Sequence, residues 1–387
     1  MADQASLLMQ DFGKSKPRFD ILQAMHHAAR VKQKAYGAQI HEIFSLGMGD
    51  GRITPHDYYY YRLYDDALYP HDEKKRFLSE SVSHRLLLKC CNVHWWAAAD
   101  DKFLAAAILR GYGVPVPETQ AVFSRSGRNF NPAEKLVTID QFAQFLAHGA
   151  RFPLFAKPLT GVGSFGACCF TAFTEGRLIL ADGSSLALED FARQMGNDQT
   201  YLFQTVLLPH PALQGITTGT PTVRVILILE DGRPEILHTI WKIPAAGNVA
   251  DNFWRPGNLL ADIDAATGTV RRVIRGFGLK FEELTTHPDS GRNLRGLVLP
   301  DWEKTVALSL DCAAIFNGLG YQSFDIALTP AGPVVVEVNT GSAFNLSQLV
   351  TGRGFLTDRF ADFLRRNRYR LKLKRVAPDR SSSVKPE

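Results

Sequence analysis

The sequence predicts an α+β protein in which two sheet-and-helix units follow a helical N-terminal region. One observation is a strong hairpin signal, a turn at Asp231-Gly232 between two apolar runs. A second hairpin turns at residues 330–332, and a long amphipathic helical segment at 301–320 leads into it. Antiparallel hairpins separated by helices are typical of an α+β fold and not of one doubly wound parallel sheet. A cleft between two such units is the natural place for a ligand.

The composition is that of a globular protein. Its 387 residues exceed the usual size of a single core, with 45% hydrophobic and 21% charged residues and a formal charge of +5. Much of the positive excess lies at 365–375, so the body of the chain does not require nucleic acid as a partner. No apolar run is long enough for a signal peptide or a membrane span. The five cysteines, including the pairs Cys90-Cys91 and Cys168-Cys169, fit neither a disulfide framework nor a zinc site, so we expect buried thiols in a cytoplasmic protein.

The elements follow from local signals. Thr54 before Pro55 begins a helix, because a hydroxyl cap and a proline in the first turn favour that start. The apolar run at 97–109 predicts one helix, which Gly111 and Gly113 end. The remaining predicted elements are strands at 119–123, 152–158, 167–173, 201–207, 222–231 and 235–241, the hairpin 322–340, and helices at 139–149, 186–195, 301–320 and 355–366.

A glycine-rich loop follows a lysine at the end of a predicted strand. Lys157 ends the strand, and the loop at 160–166 leads directly into the return strand. Glycines allow backbone N–H groups to approach a phosphate, and the lysine adds a mobile positive charge. Since the lysine precedes the glycines and no helix follows, the pattern is neither a Walker A loop nor a dinucleotide fingerprint. By itself it fits a phosphate site and an ordinary β-hairpin equally well.

Oxygen-bearing side chains cluster on the last predicted hairpin. Glu337 and Asn339 are two residues apart, so they point to the same face of their strand. Antiparallel pairing through the turn brings Asp325 beside them. Such a set is costly without a cation, whereas Mg²⁺ binds a few carboxylate or amide oxygens with water and phosphate. The alternative is a polar stripe facing solvent, but the flanking valines favour a buried strand and a metal site.

Arg224 is a single charge within an apolar predicted strand. A buried arginine requires an anionic partner, which is either a carboxylate of the protein or a phosphate of a ligand. The sequence favours neither. Asp101-Lys102, in the predicted helix before Gly111, is by itself an ordinary solvated charge pair.

Taken in chain order, these motifs resemble the ATP-grasp superfamily. More narrowly, the chain resembles the sugar-transfer associated ATP-grasp proteins over about residues 53–344. The segments that carry the resemblance are ITPHDYYYYRLYDD, DDKFLAAAILRGYGVPVPET, FAKPLTGVGSFG, FQTVLLPHPAL, TPTVRVI, DNFWRPGNLLADID and GYQSFDIALTPAGPVVVEVNTGSAF. The resemblance implies the ATP-grasp fold, in which two α+β subdomains grip ATP.

The resemblance also implies roles for individual residues. Lys102 and Lys157 correspond to the lysines that hold the ATP phosphates, and Lys157 and Arg224 to the catalytic cations that steady the transferring phosphate. Asp325, Glu337 and Asn339 correspond to the magnesium ligands. The remaining implied site residues are the mobile loop residues Gly161, Gly163, Ser164 and Gly166, the nucleotide hinge residues Gln204 and His210, and the acceptor-site residue Asn252. The hinge lacks the acidic residue that often contacts the ribose in the superfamily.

The function implied is that of an ATP- and Mg²⁺-dependent carboxylate–amine ligase that works through an acyl-phosphate. Its substrates would be a small carboxylate and an amine, in the modification of a sugar or surface polysaccharide, with no nucleic acid involved. Two alternatives share these motifs. One is a phosphotransferase acting on a hydroxyl, and the other is a nucleotide-binding module without catalysis in a polysaccharide-assembly complex.

The resemblance divides the chain into subdomains. We expect a helical N-terminal region at 1–96, a small α/β subdomain at 97–150, a lid with the glycine-rich loop at 151–215, a core with the magnesium site at 216–371, and a basic, disordered tail at 372–387. The tail is either a solvated end or a segment for reversible contact with an anionic surface.

Overall fold

The computed structural model describes residues 3–6, 8, 19–161, 165–195, 199–217, 219–248 and 250–373. The chain forms two compact units. The first, here called the sheet unit, comprises Met1–Phe19 and Cys91–Ser342, and the second, the helical unit, comprises Asp20–Cys90 and Ala343–Glu387. Residues 343–371, which the sequence groups with the core subdomain, therefore cluster with the N-terminal helices.

The helices up to residue 111 precede the first strand, and the later ones lie between or after the strands. They are α1 (Ile21–Val31), α2 (Tyr36–Gly47), α3 (Pro55–Tyr60), α4 (His71–Lys74), α5 (Ser83–Cys90), α6 (Trp96–Asp100), α7 (Lys102–Gly111), α8 (Ile139–Gln144), α9 (Leu188–Gln194), α10 (Trp302–Ile315), α11 (Phe344–Thr351) and α12 (Asp358–Arg366). Within the described parts of the chain, no helix is both long and apolar enough to span a bilayer.

The first sheet of the sheet unit has seven strands. They are β1 (Thr119–Phe123), β2 (Glu134–Leu136), β3 (Leu154–Pro158), β4 (Cys168–Thr174), β5 (Arg177–Leu180), β6 (Ser185–Ala187) and β7 (Tyr201–Thr205). Their order is β2-β1-β7-β3-β4-β5-β6, and only β1 and β2 pair in parallel. One face is covered by α8 and α9, where the rings of Phe142 and Phe203 pack with centroids 4.7 Å apart. In this strand order β7 and β3 lie inside the sheet, each paired with a strand on both sides.

The second sheet is antiparallel throughout. Its strands are β8 (Thr222–Glu230), β9 (Arg233–Ile243), β10 (Leu259–Ile263), β11 (Val270–Arg275), β12 (Glu282–Leu284), β13 (Tyr321–Thr329) and β14 (Gly332–Thr340). The order is β12-β11-β10-β9-β8-β13-β14. Both predicted hairpins are confirmed, the first with Asp231 and Gly232 at φ of 50° and 73°, as its tight turn requires. Every residue of β13 is buried, so this strand forms the centre of the core. Strands β10 to β12 were not predicted.

The helix expected at 97–109 is divided in two. Asp101 has an extended backbone, with φ −86° and ψ 102°, and its carboxylate accepts the N–H of Leu104 at 2.8 Å. Aspartate is a strong N-cap, so it ends α6 and begins α7 although its neighbours favour helix. As a result Lys102 is the first residue of α7.

The helical unit has its own core. The rings of Tyr58, Tyr59, Tyr60 and Tyr61 are buried, so this aromatic run is a packing surface. The predicted start at Thr54 is confirmed, as a capping box with Asp57. All five cysteines of the chain are buried and lie outside any disulfide.

Candidate active site

Two lysines from different elements meet at the last hairpin of the sheet unit. Lys157, on β3, donates from Nζ to the carbonyl oxygen of Val336 on β14 at 3.3 Å. Lys102, at the start of α7, lies 3.1 Å from Oε1 of Glu337 and donates to the carbonyl oxygen of Gly161 at 3.0 Å. The strand end, the helix start and the glycine-rich loop thus meet where the sequence analysis places a phosphate site.

Lys157 is nearly buried, with 8% of its surface exposed. Burial disfavours its charged form, and this effect, opposed by Glu337 and assisted by nearby Lys102, lowers the pKa of the amine to about 8. A buried amine with a lowered pKa gains most from an anionic ligand, because such a ligand restores the stability of its charge.

Arg224 and Asp325 form the charged centre of the second sheet. The two residues are directly paired across β8 and β13, and the guanidinium donates through Nε and Nη2 to the two carboxylate oxygens, each at 2.7 Å. Lys242, on β9, donates to Oδ2 of the same carboxylate at 3.0 Å. Although burial alone would raise it, the pKa of Asp325 is held well below its usual range by these two cations. The sequence left open whether the partner of Arg224 is a carboxylate of the protein or a phosphate of a ligand. In the structure its partner is the carboxylate of Asp325.

Lys242 and Asp251 are site residues that the sequence analysis missed. Nζ of Lys242 lies 3.2 Å from Oδ2 of Asp251, and the hydroxyl of Thr222 donates to the same oxygen. Both charged residues are buried. Burial acts to lower the pKa of Lys242, but Asp251 and Asp325 outweigh it and raise that pKa. The sequence signal for them was weak, because the predicted strand at 235–241 stops one residue before Lys242 and Asp251 lies in the loop that follows.

The donor atoms of the predicted magnesium ligands fit a hard cation. Asp325 is paired with Glu337 across the β13–β14 ladder, and Asn339 follows two residues later. The amide Nδ2 of Asn339 is buried and has no hydrogen-bond partner among the described residues. Carboxylate and amide oxygens are the ligands that Mg²⁺ takes in proteins. Glu337 and Asn339 therefore suit the ion, while both oxygens of Asp325 already accept from cations.

The described part of the glycine-rich loop is shaped by two residues with positive φ. Gly161 has φ of 128°, and Gly166 has φ of 74° and accepts from the Tyr201 hydroxyl at 3.2 Å. A Cβ at Gly166 would lie 2.5 Å from that hydroxyl oxygen, so only glycine fits there. Gly163 and Ser164 lie outside the described residues.

The other predicted site residues are more loosely connected to this centre. Gln204, buried on β7, pairs with Phe155 of β3, two residues before Lys157, and donates to the Thr119 hydroxyl at 3.1 Å. The ring of His210 accepts from the Ala212 N–H at 3.1 Å. Asn252 accepts from the Trp254 N–H at 3.2 Å. At the charged centre itself, the residue from this loop is Asp251.

The contacts of the four cations favour an anionic ligand at one of them. Lys102, Arg224 and Lys242 are each paired with a carboxylate, whose residues are Glu337, Asp325 and Asp251, and Asp100 lies near Lys102 and Glu337. Lys157, which is buried, donates instead to a backbone carbonyl, and a buried cation without a charged partner is costly until an anion binds. The arrangement can therefore stabilise a polyphosphate and the charge that develops as a phosphoryl group moves.

Comparison with known proteins gave one family and several solved structures. The family model described as "Sugar-transfer associated ATP-grasp" matches residues 81–362. A comparison with curated proteins gave no significant match. Similar structures include D-alanine–D-alanine ligase from Bacillus anthracis, with 16% identity over 72% of this chain and 69% of that chain and a TM-score of 0.40. VanG D-Ala:D-Ser ligase from Enterococcus faecalis has 16% identity over 72% and 64%, with a TM-score of 0.38. N5-carboxyaminoimidazole synthase from Aspergillus clavatus has 11% identity over 70% and 52%, with a TM-score of 0.36.

Proposed function

This chain belongs to the sugar-transfer associated ATP-grasp family and has the α+β fold of ATP-grasp ligases, and on this basis we propose that it is an ATP-dependent carboxylate–amine ligase. The observation that carries the proposal is the meeting of Lys102 and Lys157 at the Glu337 end of β14. Two cations from separate elements, one of them buried, suit the negative charge of a bound polyphosphate.

ATP would replace the contacts that the lysines make with the protein. In the structure Lys102 is paired with Glu337, and Lys157 donates to a backbone carbonyl. A phosphate oxygen is the better partner for Lys157, because a charged acceptor shortens and strengthens the hydrogen bond. For Lys102, a polyphosphate offers more negative charge than one carboxylate. Once Lys102 turns to a phosphate, the carboxylate of Glu337 becomes available to a cation.

Glu337 and Asn339 would hold Mg²⁺, which when bound neutralises phosphate oxygens. Asp325, the third expected ligand, already accepts from Arg224 and Lys242 and would join the set only by exchanging one of these bonds. Arg224 has a different task. Its guanidinium is fixed by two bonds to Asp325, so it is already oriented when negative charge develops on the γ-phosphoryl group. Lys242 fixes the same carboxylate from the other side.

The reaction has two transfers. A substrate carboxylate oxygen attacks the γ-phosphorus, the bond to the β-γ bridging oxygen breaks, and ADP leaves. The amine nitrogen then attacks the acyl carbon of the acyl-phosphate, phosphate leaves with the bridging oxygen, and the nitrogen loses a proton. Water must be kept out between these steps, and we assign this role to the loop at 160–166, as the family resemblance implies. From the family description, we infer that one substrate is a sugar acid or an amino sugar, and the other an amino acid or acyl donor.

The test uses an ¹⁸O-labelled carboxylate. Purified protein is incubated with ATP, Mg²⁺ and pairs drawn from amino acids and sugar acids, and the phosphate and products are analysed by mass spectrometry. A ligase transfers one labelled oxygen from the carboxylate to phosphate and forms an amide. Phosphorylation of a hydroxyl without an amide would show the phosphotransferase instead, and no turnover with any pair would favour the non-catalytic module. Lys157→Ala should abolish the signal, whereas Lys280→Ala, which removes an exposed lysine, should not.

A further inference from the structure

The helical unit contains a basic cleft that the proposed reaction does not use. Its volume is about 690 Å³, and cationic side chains from three segments surround it. One cation follows α2, two lie one turn apart on α5, and three follow α12. They are Arg52, Arg85, Lys89, Arg368, Arg370 and Lys372, and together with the space between them they are called the basic cleft.

None of these six cations is neutralised by a carboxylate. In the described part of the chain, no side-chain oxygen of Asp or Glu lies within ion-pair distance of any of them, and the one side-chain hydrogen bond is from Lys372 to the carbonyl oxygen of Met48 at 2.8 Å. Cations elsewhere in the same unit are compensated. Lys34 lies 2.6 Å from Glu42, and buried Lys74 lies 2.8 Å from the same carboxylate. The lack of compensation is therefore a local property of the cleft.

The carboxylate in the cleft has a structural partner instead. Asp50 accepts the backbone N–H groups of Lys372 and Leu373, each at 2.7 Å. These bonds hold the segment after α12 against the turn after α2 and so keep cations from distant parts of the sequence together. Like charges held together around an open space create a local positive potential, which attracts an anion.

We propose that the basic cleft is a second ligand site, which binds a small molecule carrying two or more phosphate groups. Four of the six cations are arginines, whose planar forks bind phosphate through two hydrogen bonds. The volume exceeds what one phosphate fills and is within the usual range for small-molecule sites, roughly 300 to 1,000 Å³. A diphosphate ester, such as an activated sugar carries, has the charge and size that this space fits. The site is separate from the ATP site and does not rest on the proposed ligase reaction.

The experiment titrates inorganic pyrophosphate into the whole protein by calorimetry, without Mg²⁺. We expect the double variant Arg85→Gln/Arg368→Gln, here called the cleft variant, to bind pyrophosphate about tenfold or more weakly, since two charge-assisted contacts are lost. Arg292→Gln with Arg295→Gln removes the same charge from exposed residues outside the cleft and should leave binding unchanged. Pyrophosphate also suits the proposed ATP site, so the same comparison is made on the Lys157→Ala background, where binding to the cleft should remain and the cleft substitutions should still weaken it. Pyrophosphate should also raise the Tm of the wild type more than that of the cleft variant.

Three results would overturn the proposal. The first is equal affinity in the cleft variant and the wild type. The second is an equal loss in both double variants, which would reduce the effect to net charge. The third is that the protein does not respond to pyrophosphate but binds phosphatidylcholine vesicles that contain phosphatidylglycerol, and that this binding requires the cleft arginines. That result would identify a membrane surface as the partner. Lys89→Gln with Arg370→Gln repeats the test if the first variant fails to fold.

Discussion

Arg224 and Asp325 form a two-point ion pair across β8 and β13, with both nitrogen–oxygen distances at 2.7 Å. The pair is buried, and Lys242 adds a third bond at 3.0 Å. Removing one member of a buried pair leaves an uncompensated charge, which costs more than the pair itself contributes. The carboxylate is therefore structural as well as a candidate ligand, and its removal should have a distinct pH signature.

We expect Asp325→Asn to lower the free energy of unfolding by about 3–5 kcal/mol at neutral pH. The pKa of Asp325 is lowered in the folded protein, so its contribution is complete above the unfolded value near pH 4 and is lost as the pH falls below it. The difference between variant and wild type should therefore shrink in acid. Urea unfolding from neutral pH to about pH 3 measures it. A difference that stayed constant with pH would contradict the assigned cause.

The second prediction concerns Lys157. Lys157→Ala should nearly abolish ATP binding and leave the fold intact, because the buried amine is placed to bind phosphate and only one hydrogen bond, to the carbonyl oxygen of Val336, is lost. Calorimetry measures the affinity, and circular dichroism checks the fold. An unchanged affinity for ATP would remove Lys157 from the site.

The lowered pKa of Lys157 adds a test in the wild-type protein. Since burial brings this pKa to about 8, the charged form that binds phosphate becomes the minor form above that pH. The affinity for ATP should then fall about tenfold per pH unit, with proton uptake on binding. Lys157→Arg, which keeps its charge, should bind without this pH dependence. Equal dependence in both proteins would place the titrating group elsewhere.

Glu337→Gln should reduce Mg²⁺-dependent turnover by several orders of magnitude, because it removes a ligand from the proposed metal site. From the sequence alone, the loss of one of several clustered carboxylates would relieve repulsion and could raise stability. The structure removes this reason, because Glu337 lies 3.1 Å from Lys102 and Asp325 is bound by two cations. The effect on stability should therefore be a small loss of about 1 kcal/mol or less. Activity retained at low Mg²⁺ concentration would exclude Glu337 as a metal ligand.

Lys242 should be essential for the stability of the charged centre. Lys242→Met leaves the buried carboxylates of Asp251 and Asp325 short of a cation, so we expect a loss of about 3–5 kcal/mol. Adding Asp251→Asn to this variant should recover part of the loss, because one uncompensated charge is removed. Urea unfolding of the two single variants and the double variant measures the coupling. Additive effects would mean that the two side chains act independently.

The sequence was sufficient for parts of the site that local rules determine. Antiparallel pairing through the turn at residues 330–332 brings Asp325 beside Glu337, as expected, but their direct pairing depends on a bulge between Asp325 and Ile326 that the sequence did not predict. The partner of Arg224 depends on strand pairing between residues 101 positions apart, so the sequence left an ion pair and a ligand equally open. The break at Asp101 was missed because a strong cap there overrides neighbours that favour helix. Lys242 and Asp251 were missed because only the tertiary fold brings a strand and a loop together.

The last prediction concerns the segment that Asp50 holds. A truncation that ends at Leu373 keeps both backbone N–H groups that donate to this carboxylate, whereas one that ends at Leu371 removes them. We expect the shorter protein alone to lose stability, by about 1–3 kcal/mol, since bonds to a charged acceptor are the stronger ones but these are partly exposed to solvent. Asp50→Asn should produce a smaller loss, because the amide oxygen can still accept one of the two bonds. Thermal unfolding of the three proteins measures the effect. Equal stability of the two truncations would mean that Asp50 does not fix the segment that brings Arg368 and Arg370 to the basic cleft.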